Sequence, residues 1–200
     1  MAARQKTEQQ RQQIIEATDE LLYQKGFNLM SFSDIAQASG VPRGNIYYYF
    51  KTKNDVLQAI IEHRVAQTEQ MLAHWDDSMD KPLDRLKRYA EIVLRESGRV
   101  TRYGCPMGSL NTELSKVQPE LKKISRAQFD VFRKWLKKQF KRLQPNADAE
   151  ALAMHMLVHT QGIATMANIY GDKKLISREL ALIDDWLTQL ASSSNAAPHL

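Results

Sequence analysis

Between Pro42 and Phe50 the chain runs Arg43-Gly44-Asn45-Ile46-Tyr47-Tyr48-Tyr49. These side chains suit nucleic acid. An arginine forks onto the O6 and N7 of guanine, and an asparagine onto the N6 and N7 of adenine. A tyrosine offers its ring to a thymine methyl or its hydroxyl to a phosphate. Gly44 gives up helix propensity but lets the backbone come close to a groove. Successive helical residues step about 100° around the axis, so Tyr47, Tyr48 and Tyr49 cannot all turn into a core.

Other residues offer different chemistry. Cys105, the one cysteine, lies in Tyr103-Gly104-Cys105-Pro106-Met107-Gly108. A helix starting at Pro106, with Arg99 and Arg102 just upstream, would favour a thiolate open to electrophiles or oxidants. The plainer reading is a small filler side chain in a loop. His155 and His159 have the i,i+4 spacing at which two imidazoles on one helix can chelate a metal. No glutamate follows His155, so the HExxH pattern of zinc hydrolases is not met. Pocket or interface roles suit the two histidines better, and no metal is expected. Trp75, Tyr89, Tyr103, Met107, Phe129 and Trp135 could line an apolar cavity or serve as ordinary core. The candidate effector pocket is Trp75, Tyr89, Tyr103, Cys105, Met107, Phe129, His155 and His159.

The sequence offers no phosphate-cradling glycine loop, nucleophile elbow or acid–base cluster. An enzyme is therefore not expected and no cofactor is called for, though an all-α enzyme stays open as an alternative. Another alternative is an architectural DNA-binding protein, which would need neither an effector cavity nor a long uncharged helix.

The elements that must carry these residues are helices throughout. Ile14, Thr18, Leu21 and Leu22 have helical spacing from Thr7 to Lys25, and Gly26 is the stop. Ser31 opens a short second helix. Asp34, three residues on, makes a capping-box arrangement in which Asp replaces the usual Glu. Gly40 is a left-handed cap, and Pro42 stands at a first-turn position before a third helix that ends near Phe50. Two short helices joined by Ala38-Ser39-Gly40-Val41-Pro42 match a helix-turn-helix. Ile35, Ala36, Val41, Ile46 and Phe50 would pack it on the first helix. Beyond the polar break at Lys51-Thr52-Lys53-Asn54, helices are predicted near 53–77, 82–99, 106–116, 118–143, 147–170 and 176–192. Ala151 to Tyr170 holds no charged residue, so this helix must be covered on several sides. In the last helix Ile176, Leu180, Ile183, Leu187 and Leu190 form a heptad-like stripe, flanked by Leu182, Trp186 and Gln189.

Composition is permissive rather than decisive. The 200 residues allow a DNA-reading module plus a larger body, and the net charge of +5 is compatible with nucleic acid. Its densest basic stretch, Lys122 to Arg142, is far from the module along the chain and reads as a solvated face. A second phosphate contact or an acidic partner is the alternative there. No apolar run is long enough for a transmembrane helix, so no membrane partner is expected. A polar N-terminus and a single cysteine point to the cytoplasm.

The segment from Phe27 to Leu57 resembles the TetR family of transcriptional regulators. The residues that carry the likeness are Ser31-Phe32-Ser33-Asp34-Ile35-Ala36, then Ala38 to Pro42, then Arg43-Gly44-Asn45-Ile46-Tyr47-Tyr48-Tyr49-Phe50-Lys51-Thr52-Lys53. Past residue 57 only helix order and length agree. The resemblance implies an all-α fold, with an N-terminal three-helix DNA-binding module and a larger helical body for effector binding and dimerisation. It implies base-region contacts from Arg43, Gly44, Asn45 and Tyr47, and phosphate contacts from Ser31, Tyr48, Tyr49 and Lys53. Asn45 stands where the family commonly has Thr or Ser. It implies a homodimer built on the last two helices, with Leu180, Ile183, Trp186, Leu187 and Leu190 as interface. The expected partners are double-stranded operator DNA, a second copy and a small-molecule effector. The expected division is 1–53 for DNA, 54–192 for effector and dimer, and 193–200 as a flexible tail.

Overall fold

The computed structural model describes residues 2–194, and the tail expected at 193–200 lies outside it from residue 195 on. Every regular element among the described residues is helical. They are α1 (Ala2–Lys25), α2 (Phe32–Ser39), α3 (Arg43–Tyr49), α4 (Lys53–Ser78), α5 (Pro82–Arg95), α6 (Ser97–Tyr103), α7 (Pro106–Val117), α8 (Lys122–Ser125), α9 (Ala127–Leu143), α10 (Ala149–Tyr170) and α11 (Lys173–Ser194), with a 3-10 turn at Pro119–Leu121.

The ends follow local chemistry. Ser31 caps α2 with the reciprocal box: its hydroxyl accepts from the Asp34 N–H, and its own N–H donates to the Asp34 carboxylate at 2.8 Å. Gly40 then turns left-handed at φ 68°. Asp148 accepts from the N–H groups of Glu150 and Ala151 to open α10. Two expected helices are interrupted. The one predicted over 82–99 breaks at Glu96 (φ −93°, ψ 12°), just before the weak helix formers Ser97 and Gly98. The one predicted over 118–143 breaks at Arg126, beside Ser125, whose hydroxyl leaves the helix for Asn111 Oδ1 at 2.8 Å.

Packing divides the chain into two compact units, elsewhere than the expected functional cut at 53/54. One comprises residues up to Gln67 together with Ser109–Gln128, the other Thr68–Gly108 with residues from Phe129 on. The first unit is centred on Ile14, Phe27, Ile35, Ile46, Leu57 and Ile60, none with measurable exposure. Leu110 and Leu114 of α7 and Leu121 belong to that same core. Short α2 and α3 cannot cover α1 and α4 by themselves, and each large side chain buried contributes about 1.5–3 kcal/mol. α7 supplies the missing cover.

The second unit packs α5, α6, α9, α10 and α11 around Leu86, Leu136, Phe140, Met156, Ile176 and Leu187. A polar knot ties it together. Asp76 near the end of α4 accepts from Trp135 Nε1 (3.2 Å), Gln139 Nε2 (2.8 Å) and Lys138 Nζ (2.8 Å) of α9. Arg85 of α5, itself buried, lies 3.6 Å from the same carboxylate and donates to the Asp76 and Met79 carbonyls, closing the end of α4. Burial alone would raise the Asp76 carboxyl. Lys138 and Arg85 outweigh it and hold the group below its ordinary value.

A carboxyl lowered in the folded state contributes stability above its unfolded pKa, and that contribution is lost as pH falls through the folded value. Asp76→Ala is therefore expected to cost about 3 kcal/mol at pH 7, because it strands the buried Arg85 charge. The deficit should shrink below pH 4. Urea unfolding of both proteins at pH 7 and pH 3.5, followed by tryptophan fluorescence, measures this; an equal deficit at both would remove the ionised knot as its source.

Candidate nucleic-acid interface

α3 has one inward and one outward face. Ile46 and Phe50 are buried in the core of the first unit. Arg43, Gly44, Asn45, Tyr47 and Tyr48 are exposed, Tyr48 most of all at 72%. A Cβ added at Gly44 would meet nothing within 4 Å, so the surface there is open to close approach.

The outward side chains are partly ordered before any ligand arrives. The Tyr47 ring stacks on Phe32 of α2, centroids 4.6 Å apart and planes 25° from parallel. Arg43 lies over the same ring at 5.7 Å and donates to the Tyr47 hydroxyl at 3.2 Å. Tyr48 is free of the core and meets Tyr49 edge-on at 5.1 Å. Tyr49 is half-buried, and its hydroxyl donates to Gln10 Oε1 of α1 at 2.9 Å.

Two residues expected on phosphate are engaged inside the unit. The Ser31 hydroxyl donates to Asp34 Oδ2 at 2.5 Å as part of the cap. Lys25, at 2.7 Å, together with Ser31 holds the Asp34 carboxyl well below the usual carboxylate range. Lys53 donates to the carbonyls of Phe27 (2.9 Å), Asn28 (3.4 Å) and Met30 (2.8 Å), with its ammonium 4.7 Å from the Phe27 ring centroid. An ammonium has three protons, and here each has an acceptor. A lysine at a helix start reads from sequence as a surface charge; nothing local shows that the carbonyls of a preceding turn converge on it.

The candidate effector residues separate into two groups. Trp75 and Tyr89 are buried in the core of the second unit, Trp75 against Trp135 at 5.9 Å and Tyr89 against Phe132 at 5.3 Å. The Tyr89 hydroxyl pairs with Thr160 at 3.3 Å, and burial pushes its pKa up. Cys105, Met107 and Phe129 are half-buried against the same core. Tyr103 is also half-buried, with Arg102 over its ring. His155 and His159 do not join them. Both are exposed on the outer face of α10, rings 4.2 Å apart, with Trp186 edge-on to His155 at 4.9 Å. Partial burial and the neighbouring His159 lower the His155 pKa.

The expected interface stripe lies largely against the core of its own unit. Ile183 and Leu187 are 3% and 0% exposed, and Leu180, Trp186 and Leu190 pack against the same core. Periodicity identified a buried face, but α5 and α10 of the same chain bury it. Apolar side chains left exposed in this unit include Met154, Val158, Met166, Ile169 and Tyr170 on α10, Leu182 on α11 and Leu94 on α5, with Val158 at 62%. The signal for them was the absence of charge from 151 to 170. Part of the basic stretch is paired at home. Arg133 and Lys137 reach Glu150 at 2.9 and 3.1 Å, and Lys138 reaches Asp76.

A sequence model of bacterial regulatory proteins of the tetR family matches residues 14–60, which span α1 to the first half of α4. The chain is 29% identical over 172 residues to an uncharacterised helix-turn-helix transcriptional regulator from the lacX 3′ region of Lactococcus lactis, covering 83% of this chain and 82% of that one. It is 29% identical over 184 residues to the regulator BetI of Pseudomonas paraeruginosa, covering 90% and 91%. The solved TetR transcriptional regulator of Chloroflexus aurantiacus superposes with a TM-score of 0.81 at 20% identity, over 92% of this chain and 97% of that one. The matched segment contains the whole outward face of α3 and part of the core beneath it. Residues 14–60 carry the DNA-binding segment of the tetR family of bacterial regulatory proteins, and the chain as a whole is similar to helix-turn-helix transcriptional regulators and shares the fold of solved TetR-family structures.

Proposed function

We propose that the protein is a cytoplasmic repressor that binds a palindromic operator as a homodimer, one α3 in each of two major grooves about 34 Å apart or a multiple of that. The observation that carries this reading is the ordered outward set Arg43–Tyr47 stacked on Phe32. Holding the arginine and the ring in place before binding reduces the ordering cost at the groove. Arg43, Gly44, Asn45 and Tyr47 read bases, and Tyr48 and Tyr49 contact flanking phosphates. Ser31 and Lys53 support the turn behind them.

The second copy docks on the outer face of α10, helped by Leu182. That face is an uncharged row, which a two-fold partner can cover with the identical row. An effector acts in the second unit by favouring one of two dimer states, which requires unequal affinity for them. Covalent modification is one route. Cys105 is half-buried at the start of α7, where the Gly108 N–H donates to its Sγ at 3.4 Å.

Arg43→Ala and Tyr47→Ala are each expected to weaken binding to an operator selected from random DNA by roughly 1–3 kcal/mol while leaving the dimer intact. Unchanged affinity in both removes them as base readers. Val158→Glu, on an exposed site, should give a folded monomer, whereas Leu187→Glu should unfold the second unit. Sedimentation equilibrium at low micromolar concentration, with circular dichroism, decides; a Val158→Glu dimer moves the interface elsewhere. Iodoacetamide should release operator DNA from wild type and not from Cys105→Ser. Equal behaviour of the two leaves only non-covalent effectors.

A further inference from the structure

The turn between α1 and α2 cannot hold its own backbone groups. α1 ends at Gly26, at φ 81°, and the chain runs through Phe27 to Met30 before Ser31 opens α2. Within the turn one bond closes, from the Met30 N–H to the Phe27 carbonyl at 3.3 Å. Two side chains from distant segments take five further bonds. Lys53 of α4 donates to the carbonyls of Phe27, Asn28 and Met30. Glu113 of α7 receives the N–H groups: Phe27 donates to Oε2 at 3.0 Å and Asn28 to Oε1 at 2.7 Å. A carboxylate that spans two successive backbone N–H groups makes a pair of charge-assisted bonds with a defined direction.

Glu113 is itself held in register. Its neighbours Leu110 and Leu114 are buried in the core of the first unit at 5% and 0% exposure. The carboxylate leaves no spare room at the turn, since a Cβ on Gly26 would lie 3.0 Å from Oε2. Phe27 and Met30 are themselves buried, so the turn is fixed by its side chains below and by Glu113 and Lys53 on its backbone. It sets where Ser31 begins α2, and α2 carries the Phe32 ring on which Tyr47 stacks.

We infer that Glu113 is a positioning residue for DNA binding: from α7 it fixes the α1–α2 turn, and through it the reading face of α3, without touching DNA. α7 is one helix from Pro106 to Val117, so a displacement of that helix moves the carboxylate against its two donors. The inference rests on the proposed base-reading role of α3.

The test compares wild type, Glu113→Gln, Glu113→Ala and Arg43→Ala on a duplex selected from a random pool by the wild-type protein, and on a scrambled duplex. Glutamine keeps the size and one acceptor but turns an amide N–H toward the second donor. Glu113→Ala should bind the selected duplex about tenfold more weakly and Glu113→Gln about fivefold. Binding to the scrambled duplex and the salt slope should be unchanged, because no phosphate contact is lost. Amide exchange at Phe27 and Asn28 should be faster in both Glu113 variants and unchanged in Arg43→Ala. That contrast separates a failure of base reading, in which Arg43→Ala binds normally, from a failure of the clamp. Selected-duplex affinity within twofold of wild type in both Glu113 variants would overturn the inference. So would a parallel loss on both duplexes accompanied by loss of helical signal, which marks Glu113 as scaffold alone; where alanine disrupts the fold, the isosteric glutamine decides.

Discussion

A helix of seven residues has no stability of its own in water, since nucleation alone costs more than two turns return. α3 is such a helix, and its N-cap, Pro42, offers no side-chain bond. It exists because Ile46 and Phe50 are buried against the rest of the first unit. The reading surface is the reverse side of that burial. Arg43, Asn45 and Tyr47 can face outward only while Ile46 faces in, and a hydrophobic contact that is non-directional in itself becomes, through the helix, an orientation for polar groups.

What could be read in the chain beforehand was local. The box between Ser31 and Asp34, the left-handed cap at Gly40 and the two faces of α3 depend on residues a few positions apart, and all three form. What escaped depends on distance. Glu113 meets Phe27 across 86 positions, and no pattern near either residue announces the other. Lys53, expected on phosphate, meets carbonyls that lie 23 to 26 positions away. The stripe on α11 shows a different limit: Ile183 and Leu187 were rightly seen as buried, but periodicity cannot say whether the covering helix belongs to the same chain or another. His155 and His159 sit among apolar neighbours in sequence, yet they occupy the outward side of a helix whose two sides are both uncharged.

That helix, α10, has two distinct surfaces. Its inner row is rich in small side chains, with Ala153, Ala164 and Ala167 essentially buried, and α6 and α11 pack closely against it. Its outer row carries Met154, Val158, Met166 and Ile169 into solvent. Elsewhere in the second unit charge is spent inward or on near neighbours, as at Asp76 and Glu150. That outer row lies in a stretch with no charged residue from 151 to 170.

The participation of α7 in the first unit bears on how this regulator can be recombined. A chimera made by joining residues 1–60 to the body of another helix-turn-helix regulator would carry over every side chain on α3. It would leave behind Leu110, Leu114, Leu121 and the carboxylate of Glu113. The transplanted piece would have an open hydrophobic flank and two backbone N–H groups facing whatever the new host supplied at those positions. The portable module is discontinuous, residues up to Gln67 plus Ser109–Gln128, and Gly26 is portable only alongside the side chain that crowds it.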